Sequence, residues 1–136
     1  MNEKVKDEQA AAKAILFEKM QGFFDDELNI VLVNLCTSDG FSIHSLSRSN
    51  EGVEADKVAA IASTLCSISN ASAEQISKGM FNIATVESAN GAILFLRTQF
   101  LEVQSVLCVA TSAKMSLGEA RFHCQRLASE VKAIEA

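Results

Sequence analysis

Residues 54–77 constrain the fold more than any other stretch. They contain neither glycine nor proline, and they carry two apolar lines at helical spacing. Val58, Ile61, Leu65, Ile68 and Ile76 form a line of large residues. Ala55, Ala59, Ala62, Cys66 and Ala73 form a line of small ones, turned by roughly a quarter of the circumference. Asp56, Lys57 and Glu74 avoid both. The pattern predicts one long amphipathic helix with two jobs. The large residues are expected to pack on a sheet, and the small ones to leave a smooth flank that a second helix can approach. The alternative is that the alanines are only good helix formers.

The flanking segments supply the sheet. Leu28–Cys36 is β-branched and nearly continuously apolar, the pattern of a strand covered on both faces. Ser38-Asp39-Gly40 turns the chain into a second strand at Phe41, Ile43 and Leu46, and a polar loop from Ser47 to Gly52 follows. After the long helix, Gly79 is expected to be its left-handed cap. Met80–Glu87 reads as a third strand with Phe81, Ile83 and Thr85 on one face. Asn90-Gly91 is a hairpin signal. Ala92–Arg97 and Val103–Ala110 are the fourth and fifth strands, joined by a loop from Thr98 to Glu102.

Helices close the chain at both ends. Residues 1–9 are mostly charged and are expected to be disordered. From Ala10 the face Ala12, Ile15, Leu16, Lys19, Met20 and Phe23 predicts a helix that stops by Phe23, because Asp25 and Asp26 oppose the macrodipole. Ser116 and Glu119 have capping-box spacing, and the last helix runs to about Ile134. Its inner side is read as Leu117, Ala120, Arg121, Cys124, Leu127, Ala128 and Val131. The expected architecture is a single α/β (α+β) domain over residues 1–136. It is a three-layer sandwich: a five-stranded antiparallel sheet, the long middle helix on one face and the terminal helices on the other.

Composition excludes several functions. A formal net charge of −5 argues against a nucleic-acid binder, which needs a basic face over phosphates. No apolar run approaches the eighteen or so residues of a membrane span. Cys36, Cys66, Cys108 and Cys124 are too far apart in sequence for a zinc knuckle or redox pair. Free, buried thiols are expected, as in a cytoplasmic protein. The six glycines make no phosphate loop, and there is no Gly-x-Ser-x-Gly elbow. Glu119 and His123 could share a metal, but an ordinary helical pair accounts for the spacing. His44 and Asp39 read as a strand histidine and a turn residue. Arg97 and Arg121 could bind an anion, although solvated arginines are commoner. No catalytic residue, cofactor or metal is expected.

Weak motifs in order carry a family resemblance. They are Ile30-Val31-Leu32-Val33 before Ser38-Asp39-Gly40-Phe41, the helix Lys57-Val58-Ala59-Ala60-Ile61-Ala62, and the hairpin Phe81–Val86, Asn90-Gly91, Ala92-Ile93-Leu94. Val106–Ala110 before Ser116-Leu117-Gly118-Glu119-Ala120-Arg121 completes them. Together they resemble the roadblock family, which includes dynein light chains and a bacterial gliding-motility activator of a Ras-like GTPase. The chain departs from that family in lacking glycines over Thr98–Glu102 and an Asp in Thr111–Met115. The resemblance implies a dimer with central helices side by side and third strands paired. It also implies a non-enzymatic role: binding and regulating a small Ras-like GTPase, or serving as a scaffold. The interface expected on that basis comprises Ala55, Ala59, Ala62, Ser63, Cys66, Ala73, Phe81 and Ile83. The alternative is a small-molecule sensor with a pocket between sheet and helices.

Overall fold

The computed structural model describes residues 3–48 and 54–135. The element order is α1 (Glu3–Asp26), β1 (Ile30–Thr37), β2 (Ser42–Ser47), α2 (Ala55–Ser72), β3 (Ile83–Ser88), β4 (Gly91–Phe100), β5 (Val103–Ser112) and α3 (Leu117–Lys132). The sheet is antiparallel with strand order β2-β1-β5-β4-β3. Helices α1 and α3 cover one face and α2 the other, so the three-layer sandwich is as expected. Most of the loop from Ser47 to Gly52 lies outside the described residues.

Strand alternation divides the core. Leu35, Leu94, Leu96, Leu107 and Val109 meet Leu16, Met20 and Phe23 of α1 and Cys124, Leu127 and Val131 of α3. Cys36, Phe95, Val106 and Cys108 face the other way and meet Val58, Ala59, Ala62 and Cys66 of α2. Phe23 and Phe24 are buried. Ile15, Leu117 and Arg121 are exposed, so the terminal helices bury narrower stripes than their sequences suggest.

Three element ends differ from expectation. Helix α1 includes residues 3–9, which are helical although exposed. No breaker interrupts them, and Lys4 has Asp7 and Glu8 at favourable helical spacings. The same helix continues past Phe23 to Asp26 because Arg48 satisfies its end. The guanidinium donates to the carbonyl oxygens of Phe24, Glu27 (3.0 Å) and Ile30 (2.7 Å), and lies 3.9 Å over the Phe24 ring. That cation replaces the basic last turn that α1 lacks. Beyond Ser72, α2 relaxes into a π-helical turn, Ala73–Ser77, which ends on Lys78 at φ 58° rather than on Gly79.

The hairpins also differ. Thr98–Phe100 is strand, and the β4–β5 connection is only Leu101-Glu102, both at positive φ (50° and 68°) without a glycine. In the β3–β4 hairpin, Ala89 and Asn90 make the turn and Gly91 pairs with Ser88. Gly91 is required by proximity: a Cβ there would lie 1.9 Å from the Thr111 carbonyl oxygen. The expected cap of α3 is present. Ser116 Oγ accepts from the Glu119 N–H at 3.2 Å and donates to Glu119 Oε1 at 3.0 Å.

Candidate docking surface

Helix α2 meets the sheet mainly through its small flank. Ala59 and Ala62 are fully buried against the sheet, with Cys66 beside them. Ile61 and Ile68 are more than half exposed, and Ile76 is 82% exposed. Val58 is buried and Leu65 half-buried, so the helix is rolled toward its small flank rather than inverted. Small residues let a helix backbone approach a sheet closely, and the sheet beneath is lined by Cys36, Val106 and Cys108. The Cys36 thiol lies 3.8 Å from the Ala59 carbonyl oxygen, a measure of that approach. The helix tolerates its polar positions because Thr64 and Ser72 return their hydroxyls to the carbonyls of Ala60 (2.8 Å) and Ile68 (2.9 Å).

Within the single chain, only part of the expected interface lies at the surface. Ala59, Ala62, Cys66 and Phe81 are buried within the chain's own core and present almost no surface to a partner. Ala55, Ser63, Ala73 and Ile83 are half-buried. Phe81 and Ile83 do not share a face: Phe81 precedes β3 and packs under α2, whereas Ile83 joins the core of α1 and α3. Helical spacing had marked Ile61, Ile68 and Ile76 as one stripe but could not show which stripe the sheet takes.

The exposed residues form a candidate surface. Ile61, Ile68 and Ile76 run outward along α2 and its π turn, and Met80 (83% exposed) follows after Lys78. β3 is an edge strand, and among the described residues nothing pairs with its outer side. Val86 on it is also exposed. Unpaired strand edges and apolar helix stripes mark surfaces that another chain can cover.

Residues with chemical potential are scattered. Among the described residues no group of His, Cys, Asp or Glu could hold a metal. His123 Nε2 meets Glu27 Oε1 at 3.2 Å, while Glu119 turns to Ser116, so the pair spaced for a shared ligand is divided. His44 stacks on Phe17 with ring centroids 4.0 Å apart, and burial lowers its pKa. All four cysteines are free and buried. Burial raises Cys36 to about 11 and Cys108 and Cys124 to about 12, leaving neutral, inert thiols. Cys66 is raised by burial too, but Arg97 opposes the shift. A recess of about 550 Å³ lies between the N-terminal part of α1, the C-terminal end of α3 and the β4–β5 turn. No described helix is long and apolar enough to cross a membrane.

The sheet order, the helix on each face and the free β3 edge together define a roadblock fold. The profile of the Roadblock/LC7 domain matches residues 16–111, more than half of the chain, and the chain belongs to that family. Solved structures agree on the fold. The gliding protein MglB from Thermus thermophilus is similar at TM-score 0.77 and 13% identity, covering 91% of this chain and 90% of that one. Myxococcus xanthus MglB is similar at TM-score 0.70 and 20% identity, covering 82% and 87%. A Roadblock/LC7 domain from Streptomyces avermitilis is similar at TM-score 0.69 and 17% identity, covering 82% and 90%. No individual curated protein sequence matches the chain.

Proposed function

We propose that the chain is a non-enzymatic interaction module that forms a homodimer through the outward face of α2 and the β3 edge. The dimer in turn binds and regulates a small Ras-like GTPase or scaffolds a larger assembly. The observation that carries this reading is the exposed line of Ile61, Ile68 and Ile76 beside an unpaired strand edge. A two-fold axis normal to the sheet, passing beside α2 and the β3 edge, would cover that line with its own copy and join two sheets edge to edge. Family membership and the likeness to MglB structures support the regulatory part.

In this reading the GTPase keeps its own catalytic residues and the module holds their geometry. The test is single-turnover nucleotide hydrolysis by a small Ras-like GTPase from the same genome, with and without this protein, beside a direct binding measurement. Binding with faster hydrolysis is the expected result, and binding without a rate change assigns the scaffold role. Absence of binding to every such GTPase removes the regulatory reading.

A further inference from the structure

A polar recess of about 180 Å³ lies at the margin of α2 and the sheet, lined by Ser38, Ser63, Cys66, Ser67, Asn70 and Arg97 among others. It is well below the roughly 300 Å³ of a pocket that encloses a drug-sized ligand, so it fits one functional group. Arg97 is held in place: its Nη1 donates to Asn70 Oδ1 at 3.1 Å. That bond uses one of five guanidinium N–H donors, and no other acceptor for the rest is found among the described residues. The Ser63 hydroxyl already donates to the Ala60 carbonyl at 3.1 Å. The side-chain hydroxyls of Ser38 and Ser67 have no hydrogen-bond partner among the described residues.

The charge distribution has a direction. No carboxylate lines the recess itself. Asp39 lines a shallow continuation of it, with Thr64 and Ile68, and forms no ion pair with Arg97. The guanidinium field reaches Cys66, where it opposes the effect of burial on the thiol. A cation anchored by a neutral amide, with two free hydroxyls alongside and a carboxylate only beyond them, is complementary to a single anionic group.

We infer that this recess is an oxyanion subsite, in which Arg97 and the hydroxyls of Ser38 and Ser67 hold one carboxylate or phosphoryl group. Asp39 repels the anion from the far end and seats it against Arg97. The subsite is built within one chain and does not rest on the dimer reading. Because Ile68 lines the continuation and also stands on the exposed stripe, an occupant here adjoins whatever covers α2.

The test is a ¹⁵N chemical-shift titration of the full chain with sodium phosphate and, separately, sodium acetate, each at constant ionic strength set with chloride. Saturable shifts are expected at Ser38, Ser67, Asn70 and the Arg97 Nε. Tighter binding of phosphate assigns a phosphoryl occupant, and equal or tighter binding of acetate a carboxylate. Arg97→Gln should weaken binding by at least about tenfold, the loss of a charge-assisted hydrogen bond. Arg121→Gln should leave it unchanged. Arg97 is exposed, so its variant should keep the native spectrum; Ser67→Ala is a second variant, expected to weaken binding less. Failure of both anions to saturate, or equal binding by Arg97→Gln, overturns the subsite. The oligomeric state, measured on the same samples, reports on the dimer reading separately.

Discussion

On one face of the sheet, two helices bring Leu16, Met20, Phe23, Leu127 and Val131 down onto leucines of β1, β4 and β5. On the other face a single helix lies down through Ala59, Ala62 and Cys66, onto Cys36, Val106 and Cys108. The first face buries its large side chains. The second keeps Ile61, Ile68 and Ile76 out of its core and exposes them. Burying a large aliphatic side chain is worth about 1.5–3 kcal/mol, so a helix that leaves three outside has forgone much of its own stabilisation. Small residues on the inner side allow the helix to lie close to the sheet. Large residues on the outer side are then available to another surface.

The contrast within α2 predicts the largest effect. Ala62→Arg places a charge in a fully buried position with no partner, and should cost more than about 4 kcal/mol and unfold the domain. Ile68→Arg, on the outer side, should leave the protomer folded and cooperative, losing only the stabilisation that a second copy adds. Urea unfolding followed by circular dichroism separates the two. Equal tolerance of both substitutions breaks the assignment of inner and outer sides.

A change in the shared sheet should weaken both faces together. Gly91→Ala forces a Cβ to 1.9 Å from the Thr111 carbonyl at φ +144°, and should cost about 2–4 kcal/mol. Hydrogen exchange should show α2 and α3 losing protection in parallel. Loss confined to one helix shows that the two layers unfold independently.

Alkaline pH should distinguish the faces by their thiols. Cys36, Cys66 and Cys108 lie on the α2 side and Cys124 on the other. The unfolded thiols ionise near 9.0, whereas Cys36 holds its proton to about 11 and Cys108 and Cys124 to about 12. The raised folded values mean that this contribution is fully present below pH 9.0 and is lost as pH rises toward 11–12. Each such thiol contributes up to about 1.4 kcal/mol per pH unit across that window. Urea midpoints from pH 7 to 10.5 should fall only above 9, and the chain has no tyrosine to add to the slope. Replacing Cys36 and Cys108 with alanine should flatten the fall more than replacing Cys124.

The smallest effect concerns the β4–β5 turn. Leu101 and Glu102 occupy positive φ, which suits Asn and Gly. Replacing the pair with Asn-Gly should stabilise the fold by about 1 kcal/mol, read as a higher urea midpoint. No gain means that the contacts of Leu101 with the neighbouring core offset the strain.

The element order and the layer arrangement were legible in the sequence because each rests on local periodicity and turn residues. Leu28–Cys36 shows two covered faces, and Ser116 with Glu119 marks a helix start. The inner side of α2 was not legible. Transfer energies favour burying isoleucine over alanine, and only the three-dimensional closeness of helix to sheet reverses that choice. Arg48 as the cap of α1 requires a contact between residues 24 positions apart. The positive φ values of Lys78, Leu101 and Glu102 carry no residue signature, since the usual glycines are missing. Arg97 was recognisable as an anion candidate, but its recess exists only where the Ser38 turn, α2 and β4 meet.

The central claim is that the outer side of α2 is a docking surface for a second copy. Light scattering at micromolar concentration on the full chain and on Ile68→Arg tests it most directly, with circular dichroism on both samples. The account predicts a mass of about twice 14.6 kDa for the chain and 14.6 kDa for a still-folded Ile68→Arg. A wild-type mass of 14.6 kDa, or an Ile68→Arg variant that keeps the doubled mass, contradicts it.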